Sequence, residues 1–150
     1  MRYNKPGSES NPFVLDQRLA HDCLRLGAMQ LSEVLLFDDS RYDWLVLVPK
    51  VADVVEFLDL PAAQQQQLAL EIQHVSQKLK QWRPQAKLNV GALGNVVSQL
   101  HVHLLLREPG DPAWPGPVWG HSAALRHTGQ HAQERCAVWR QRLGLTGESD

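Results

Sequence analysis

The chain predicts an α+β domain with a mostly antiparallel sheet. Two β-rich runs, residues 33–37 and 44–48, flank the turn-forming Asp38-Asp39-Ser40-Arg41 and read as a hairpin. A single long amphipathic helix interrupts the strand pattern. Regular strand–helix–strand units, which would signal a parallel sheet, do not recur.

Residues 1–11 are polar, carry Pro, Gly and Ser, and are expected to form a loose tail. Residues 16–22 suit a short helix that turns Leu15, Leu19 and Cys23 inward. The run Trp44-Leu45-Val46-Leu47-Val48 is apolar on both faces, as a strand covered on both sides must be, and Pro49 marks its end. Residues 61–82 are the clearest helix. Leu68, Ile72, Val75, Leu79 and Trp82 recur at spacings of four and three, Pro61 suits the first turn, and Pro84 sets a boundary near Arg83. Residues 87–90 form a short strand, and Gly91 to Asn95 a tight connection. A further strand spans residues 99–107. Residues 108–120, rich in Pro, Gly and Trp, read as an ordered loop, and Ala132, Cys136, Trp139 and Leu143 mark a final helix. The domain boundaries expected are 12–120 for the globular part and 121–150 for a C-terminal extension.

Composition narrows the function. The chain has 150 residues, 43% of them apolar, enough for one domain with a sizeable core. A net charge of −1 gives no basic field for a nucleic-acid polymer, so a phosphate ligand must be held by local groups. Cys23 and Cys136 fit neither a zinc spacing nor a disulfide framework and are expected as reduced thiols. The first residues lack the apolar core of a signal peptide, and no run approaches a membrane helix, so a cytoplasmic protein is expected.

The segment Gln99-Leu100-His101-Val102-His103-Leu104-Leu105-Leu106-Arg107 carries the chemistry. Strand alternation places Gln99, His101 and His103 on one face and Leu100, Val102, Leu104 and Leu106 on the other. The two imidazoles lie about 6–7 Å apart along the strand at roughly 3.3 Å per residue. Each ring offers two nitrogens and titrates near neutrality, which suits phosphate chemistry or a metal. A metal would need further ligands, and His121, His127 and His131 are the candidates. His127 and His131 read as solvated, as do His21 and His74.

The segment resembles the signature of the histidine triad (HIT) superfamily, His-x-His-x-His followed by two apolar residues, with Gln99 in the first position and His101 and His103 in the second and third. The stretches NPFVLDQRLAHDC, LLFDDSRYDWLVLVPK, KLNVGALGNVVSQLHVH and DPAWPGPVWG are similar to a bacterial branch that carries glutamine first, over about residues 12–120. The resemblance implies a five-stranded antiparallel sheet with helices packed on it, and a homodimer. It implies a purine nucleotide bound with its α-phosphate over the histidines. The reactions implied are hydrolysis or transfer of nucleoside monophosphate groups from dinucleoside polyphosphates, phosphoramidates or related compounds. No magnesium motif is evident in the sequence, and no cofactor is expected.

Within that resemblance His101 is the nucleophile, its second nitrogen donating to a fixed acceptor such as a backbone carbonyl. His103 donates to a nonbridging oxygen or assists the leaving group. Gln99, Asn89, Asn95 and backbone N–H groups around Gly94 and Val96 are the remaining phosphate donors. Phe13 and Leu15 stand near the base or in the core, and Trp119, like Trp114, either walls the pocket or pins its loop. Arg107 meets a phosphate or forms a surface salt bridge. Glutamine cannot shuttle a proton. The chain is therefore either an enzyme, a nucleotide-binding protein with little turnover, or a metal-binding protein using His101 and His103.

Overall fold

A computed structural model describes residues 12–146. The N-terminal tail expected over residues 1–11 lies outside them. One five-stranded antiparallel sheet organises the chain. Its strands are β1 (Cys23–Ala28), β2 (Ser32–Phe37), β3 (Trp44–Pro49), β4 (Lys87–Gly91) and β5 (Val102–Arg107), in the order β1-β2-β3-β5-β4. The helices are α1 (Gln17–Asp22), α2 (Ala62–Trp82) and α3 (Gly129–Leu143).

The expected α+β class, hairpin and long helix are all present. Strand β1 was not expected. It is a sheet edge, its sequence CLRLGA holds Gly and Ala, and its register breaks at a bulge between Arg25 and Gly27. A short edge strand with a bulge carries little period-2 signal. The strand expected over 99–107 joins the ladder only from Val102, and residues 92–101 run as irregular chain.

The sheet has two covered faces, which is why all six residues of β3 are buried. On one face Leu26, Val34, Leu45, Leu47, Leu104 and Leu106 pack with Leu68, Val75 and Leu79 of α2 and with Cys136, Trp139 and Leu143 of α3. Leu100 and Val102 join this cluster, so the apolar half of the histidine segment lies where alternation puts it. On the other face Leu35, Trp44, Val46 and Leu105 pack with Leu19, Cys23, Tyr42 and Val118.

Polar ties fix the helices to the sheet. Glu71 of α2, 3% exposed, accepts from the backbone N–H groups of Leu31 (2.8 Å) and Ser32 (3.0 Å) and so holds the β1–β2 turn. Arg140 of α3 donates to the carbonyls of Leu26 (3.0 Å) and Arg25 (2.8 Å) at the bulge. Asp16 caps α1, accepting from the Arg18 N–H at 2.8 Å.

Candidate active site

His101 lies immediately before β5 and His103 within it, and β5 runs between β3 and β4. His103 faces Val46 on one side and Gly91 on the other. Both histidines are buried, and their ring centroids lie 4.9 Å apart. Both line a cavity of about 500 Å³ on the α1 face of the sheet, together with Gly94, Asn95, Val96 and Trp119. The two imidazoles therefore share one cavity.

Hydrogen bonds assign their tautomers. His101 Nδ1 lies 2.7 Å from the Gln99 carbonyl oxygen. A carbonyl only accepts, so Nδ1 carries the hydrogen, and in the neutral ring Nε2 is the nitrogen with the lone pair. The acceptor expected for the nucleophile is thus the backbone two residues upstream. His103 is held the opposite way. The Trp44 indole N–H donates to His103 Nδ1 at 2.9 Å, and an indole nitrogen only donates. His103 Nδ1 is the acceptor, and Nε2 carries the hydrogen. Burial, and then the neighbouring His101, push the His103 pKa down from 6.5 to about 3. A protonated ring would lose the Trp44 bond and face a second imidazole.

This has a measurable consequence for stability. Between pH 6.5 and about 3 the unfolded chain binds a proton at His103 that the folded chain refuses. The unfolded state then holds more protons, so the His103 contribution is complete above pH 6.5 and falls away as pH drops toward 3. Urea unfolding at pH 7 and pH 5 is expected to give a larger loss for the native chain than for His103→Gln. Equal losses would contradict the buried neutral ring.

The other expected site residues divide. Gly94, with φ +72°, turns the chain in the left-handed region that favours glycine, ahead of the histidines. The Trp119 ring lies 5.6 Å from His103 and against Gly91, where a Cβ would stand 2.8 Å from the indole. Glycine is needed there for the ring to reach the cavity wall. Gln99 is outside the lining. Its side-chain N–H donates to the Val14 carbonyl (2.8 Å) and its side-chain oxygen accepts from the Asp16 N–H (2.9 Å). The amide clamps the segment entering α1. Phe13 and Leu15 pack partly buried against the cluster beside the cavity rather than lining it. Asn89 is also outside the lining, and its side-chain oxygen accepts from Arg107 Nη1 at 3.2 Å.

Two sequence readings are corrected. Arg107 is not a surface group: it is 2% exposed, pairs with both Asp111 oxygens (2.8 and 3.0 Å) and donates to the Gly116 carbonyl (2.8 Å). It thereby folds the loop that delivers Val118 and Trp119. His127 is not solvated. Its side chain is 3% exposed, with Nδ1 2.8 Å from Asp38 Oδ1, which also accepts from the His127 backbone N–H (3.0 Å). Asp38 sits in the hairpin turn, a contact no local pattern announces. His131 and His21 are exposed, whereas His74 is half-buried. His121 is a surface residue paired with the Ser122 hydroxyl (3.0 Å) and does not line the cavity.

Sequence reading missed the turn residues that reach the cavity. Asp39, 2% exposed, accepts from Arg41 Nε (2.9 Å) and Nη2 (2.8 Å), and both line the cavity with Arg18, Asp22 and Ser122. Arg41 also donates to the Ser122 hydroxyl and the Ala123 carbonyl, tying the C-terminal segment over the cavity. The adjacent carboxylates Asp38-Asp39 were the available signal, and turn chemistry was the better account of them in the sequence. Among the described residues no group of three or more His, Cys, Asp or Glu side chains is placed to hold a metal, and no helix is long and apolar enough to cross a membrane.

The comparisons agree with this fold. No curated protein matches the chain. The chain is similar to a histidine triad protein of Bradyrhizobium japonicum, 44% identical over 88% of this chain and 98% of that one, with a TM-score of 0.83. It is also similar to one from Marinobacter aquaeolei VT8, 40% identical over 89% and 98%, with a TM-score of 0.86. A third, from Sinorhizobium meliloti 1021, is 40% identical over 88% and 95%, with a TM-score of 0.80. The model of the HIT domain matches residues 19–110, which include all five strands and both histidines. The chain belongs to the HIT domain family.

Proposed function

We propose that the chain is a nucleotide hydrolase or nucleotidyl transferase that acts at the α-phosphate of a purine nucleotide derivative through a nucleotidyl-His101 intermediate. The observation that carries this reading is the pair of opposite tautomers, a lone pair on His101 Nε2 beside an N–H on His103 Nε2, on one cavity. In the first step His101 Nε2 bonds to phosphorus, and the bond from phosphorus to the leaving group breaks with its electron pair on that group. His103 Nε2–H donates to a nonbridging oxygen as charge develops. In the second step water attacks phosphorus, the P–N bond breaks with its pair returning to His101, and the water proton passes to solvent.

The leaving group follows from what the site lacks. Gln99 has no titratable proton, and both ends of its amide are engaged. His103 is held neutral. Neither protonates a departing amine, whereas a polyphosphate departs as an anion. The preferred substrate is therefore a phosphoanhydride, such as a dinucleoside polyphosphate, over a phosphoramidate.

Intact-mass measurement after a rapid quench tests this. The native chain is expected to carry a nucleoside-monophosphate adduct that His101→Ala lacks, and to turn over the phosphoanhydride about 10²-fold faster than the phosphoramidate, the scale of a missing general acid. Faster phosphoramidate turnover would refute the leaving-group assignment. Nucleotide binding with neither adduct nor turnover would favour the binding-protein reading. The proposal includes a homodimer. Strand β4 is a sheet edge with Val90 47% exposed, and a monomer mass in sedimentation would remove that part.

A further inference from the structure

Residues 92–101 approach β5 as irregular chain, so no strand ladder fixes the peptide whose carbonyl holds the His101 ring. We propose that Gln99 is the positioning residue for His101, its side-chain amide fixing that peptide by bonding to the segment ahead of α1. The proposal rests on the reading of His101 as the nucleophile.

Three anchors meet at this point. The Gln99 carbonyl and the Leu100 N–H belong to one planar trans peptide and point in opposite directions. The Leu100 N–H donates to the Val54 carbonyl at 3.0 Å, and the Gln99 carbonyl faces His101 Nδ1 at 2.7 Å. Bonds on opposite edges of a plane leave it free to turn about the line that joins them. The Gln99 side chain removes that freedom. Its Nε2 donates to the Val14 carbonyl at 2.8 Å, and its Oε1 accepts from the Asp16 N–H at 2.9 Å.

Only a side chain with a donor and an acceptor on one carbon can straddle Leu15 in this way. A carboxylate has no hydrogen for the Val14 carbonyl, and the two nitrogens of an imidazole diverge across the ring. The glutamine in the first position of the motif is therefore what makes the clamp. Its far end is equally placed for function. Asp16 caps α1, and α1 brings Arg18, Leu19 and Asp22 to the cavity. One amide thus sets the nucleophile and a cavity wall in a common frame. Transfer at phosphorus is sensitive to such placement, since a shift of about 1 Å costs up to about 10²-fold.

Two sets of variants test the clamp. Gln99→Met removes both side-chain bonds at a half-buried position. Asp16→Pro removes only the N–H end, because Asp16 has φ −54°, which proline adopts. Asp16→Ala is its control: it loses the same side-chain cap and keeps the N–H. Histidine ¹⁵N signals are expected to show the Nδ1–H form of His101 giving way to the Nε2–H form in Gln99→Met and in Asp16→Pro, and not in Asp16→Ala. With a dinucleoside polyphosphate, kcat is expected to fall about tenfold or more in the first two. In the Gln99→Met background, Asp16→Pro and Asp16→Ala are expected to behave alike. A native His101 tautomer in Gln99→Met would overturn the proposal. So would a raised KM with unchanged kcat, which would leave the amide as a prop for α1 alone. A native chain that forms no adduct would instead refute the nucleophile reading, and the tautomer measurement, which needs no substrate, would still decide whether Gln99 fixes the ring.

Discussion

Replacing His101 with alanine is expected to lower turnover by about 10³-fold or more, on the order of 4 kcal/mol of barrier, while nucleotide binding and unfolding stability change little. The imidazole is the one group in the cavity whose lone pair is fixed toward it by a backbone acceptor. Removing it leaves water to attack phosphorus directly. His103→Ala is expected to cost less, about 10²–10³-fold, the range for losing one pre-set donor to developing charge. The order of the two effects matters as much as their size. A larger loss at His103 than at His101 would reverse the roles assigned to the rings.

The largest expected stability effect is at Arg107, which does not line the cavity. Arg107→Met leaves Asp111, with a 7% exposed side chain, without its charged partner, and is expected to cost about 3–5 kcal/mol in urea unfolding. Burial pushes the Asp111 carboxyl up, but the Arg107 guanidinium and backbone N–H donors from Glu108 and Trp114 outweigh it and hold the carboxyl below the ordinary range. A depressed carboxylate stabilises the fold above its unfolded pKa and loses that contribution as pH falls through the folded one, so the Arg107 effect is expected to shrink in acid. The double variant Arg107→Met/Asp111→Leu is expected to recover most of the loss, because neither charge is then buried alone. If Arg107→Met costs no more than about 1 kcal/mol, the pair is not what folds the loop. Adduct formation is expected to fall with it, since the same loop carries Trp119 to the cavity.

The sequence announced those parts of the fold that depend on local periodicity. The stripe Leu68-Ile72-Val75-Leu79-Trp82 and the all-apolar β3 are each read from spacing within one element; β3 is buried throughout, as are Leu68, Val75 and Leu79, while Ile72 and Trp82 pack partly buried against the same core. Strand β1 escaped because a bulge and two small residues erase its alternation. At the site, alternation located His101 and His103, and the family resemblance supplied the expected carbonyl acceptor. Neither revealed Trp44 as the donor that fixes His103, because that bond joins residues 59 positions apart across neighbouring strands. The same limit applies to Gln99. Its place in the motif suggested a phosphate donor, while its amide reaches back 83 and 85 positions to the segment before α1. His127 and Arg107 were misplaced for a related reason: a charged or titratable side chain is buried by the partner it finds, and Asp38 and Asp111 are partners only in three dimensions.

The most direct measurement is of the ring protons themselves. Long-range ¹H–¹⁵N NMR of the ¹⁵N-histidine chain at pH 7, with His101→Gln and His103→Gln to assign the signals, is expected to find the hydrogen on Nδ1 of His101 and on Nε2 of His103. Two rings of the same tautomer, or a protonated His103, would leave the cavity without a matched nucleophile and donor.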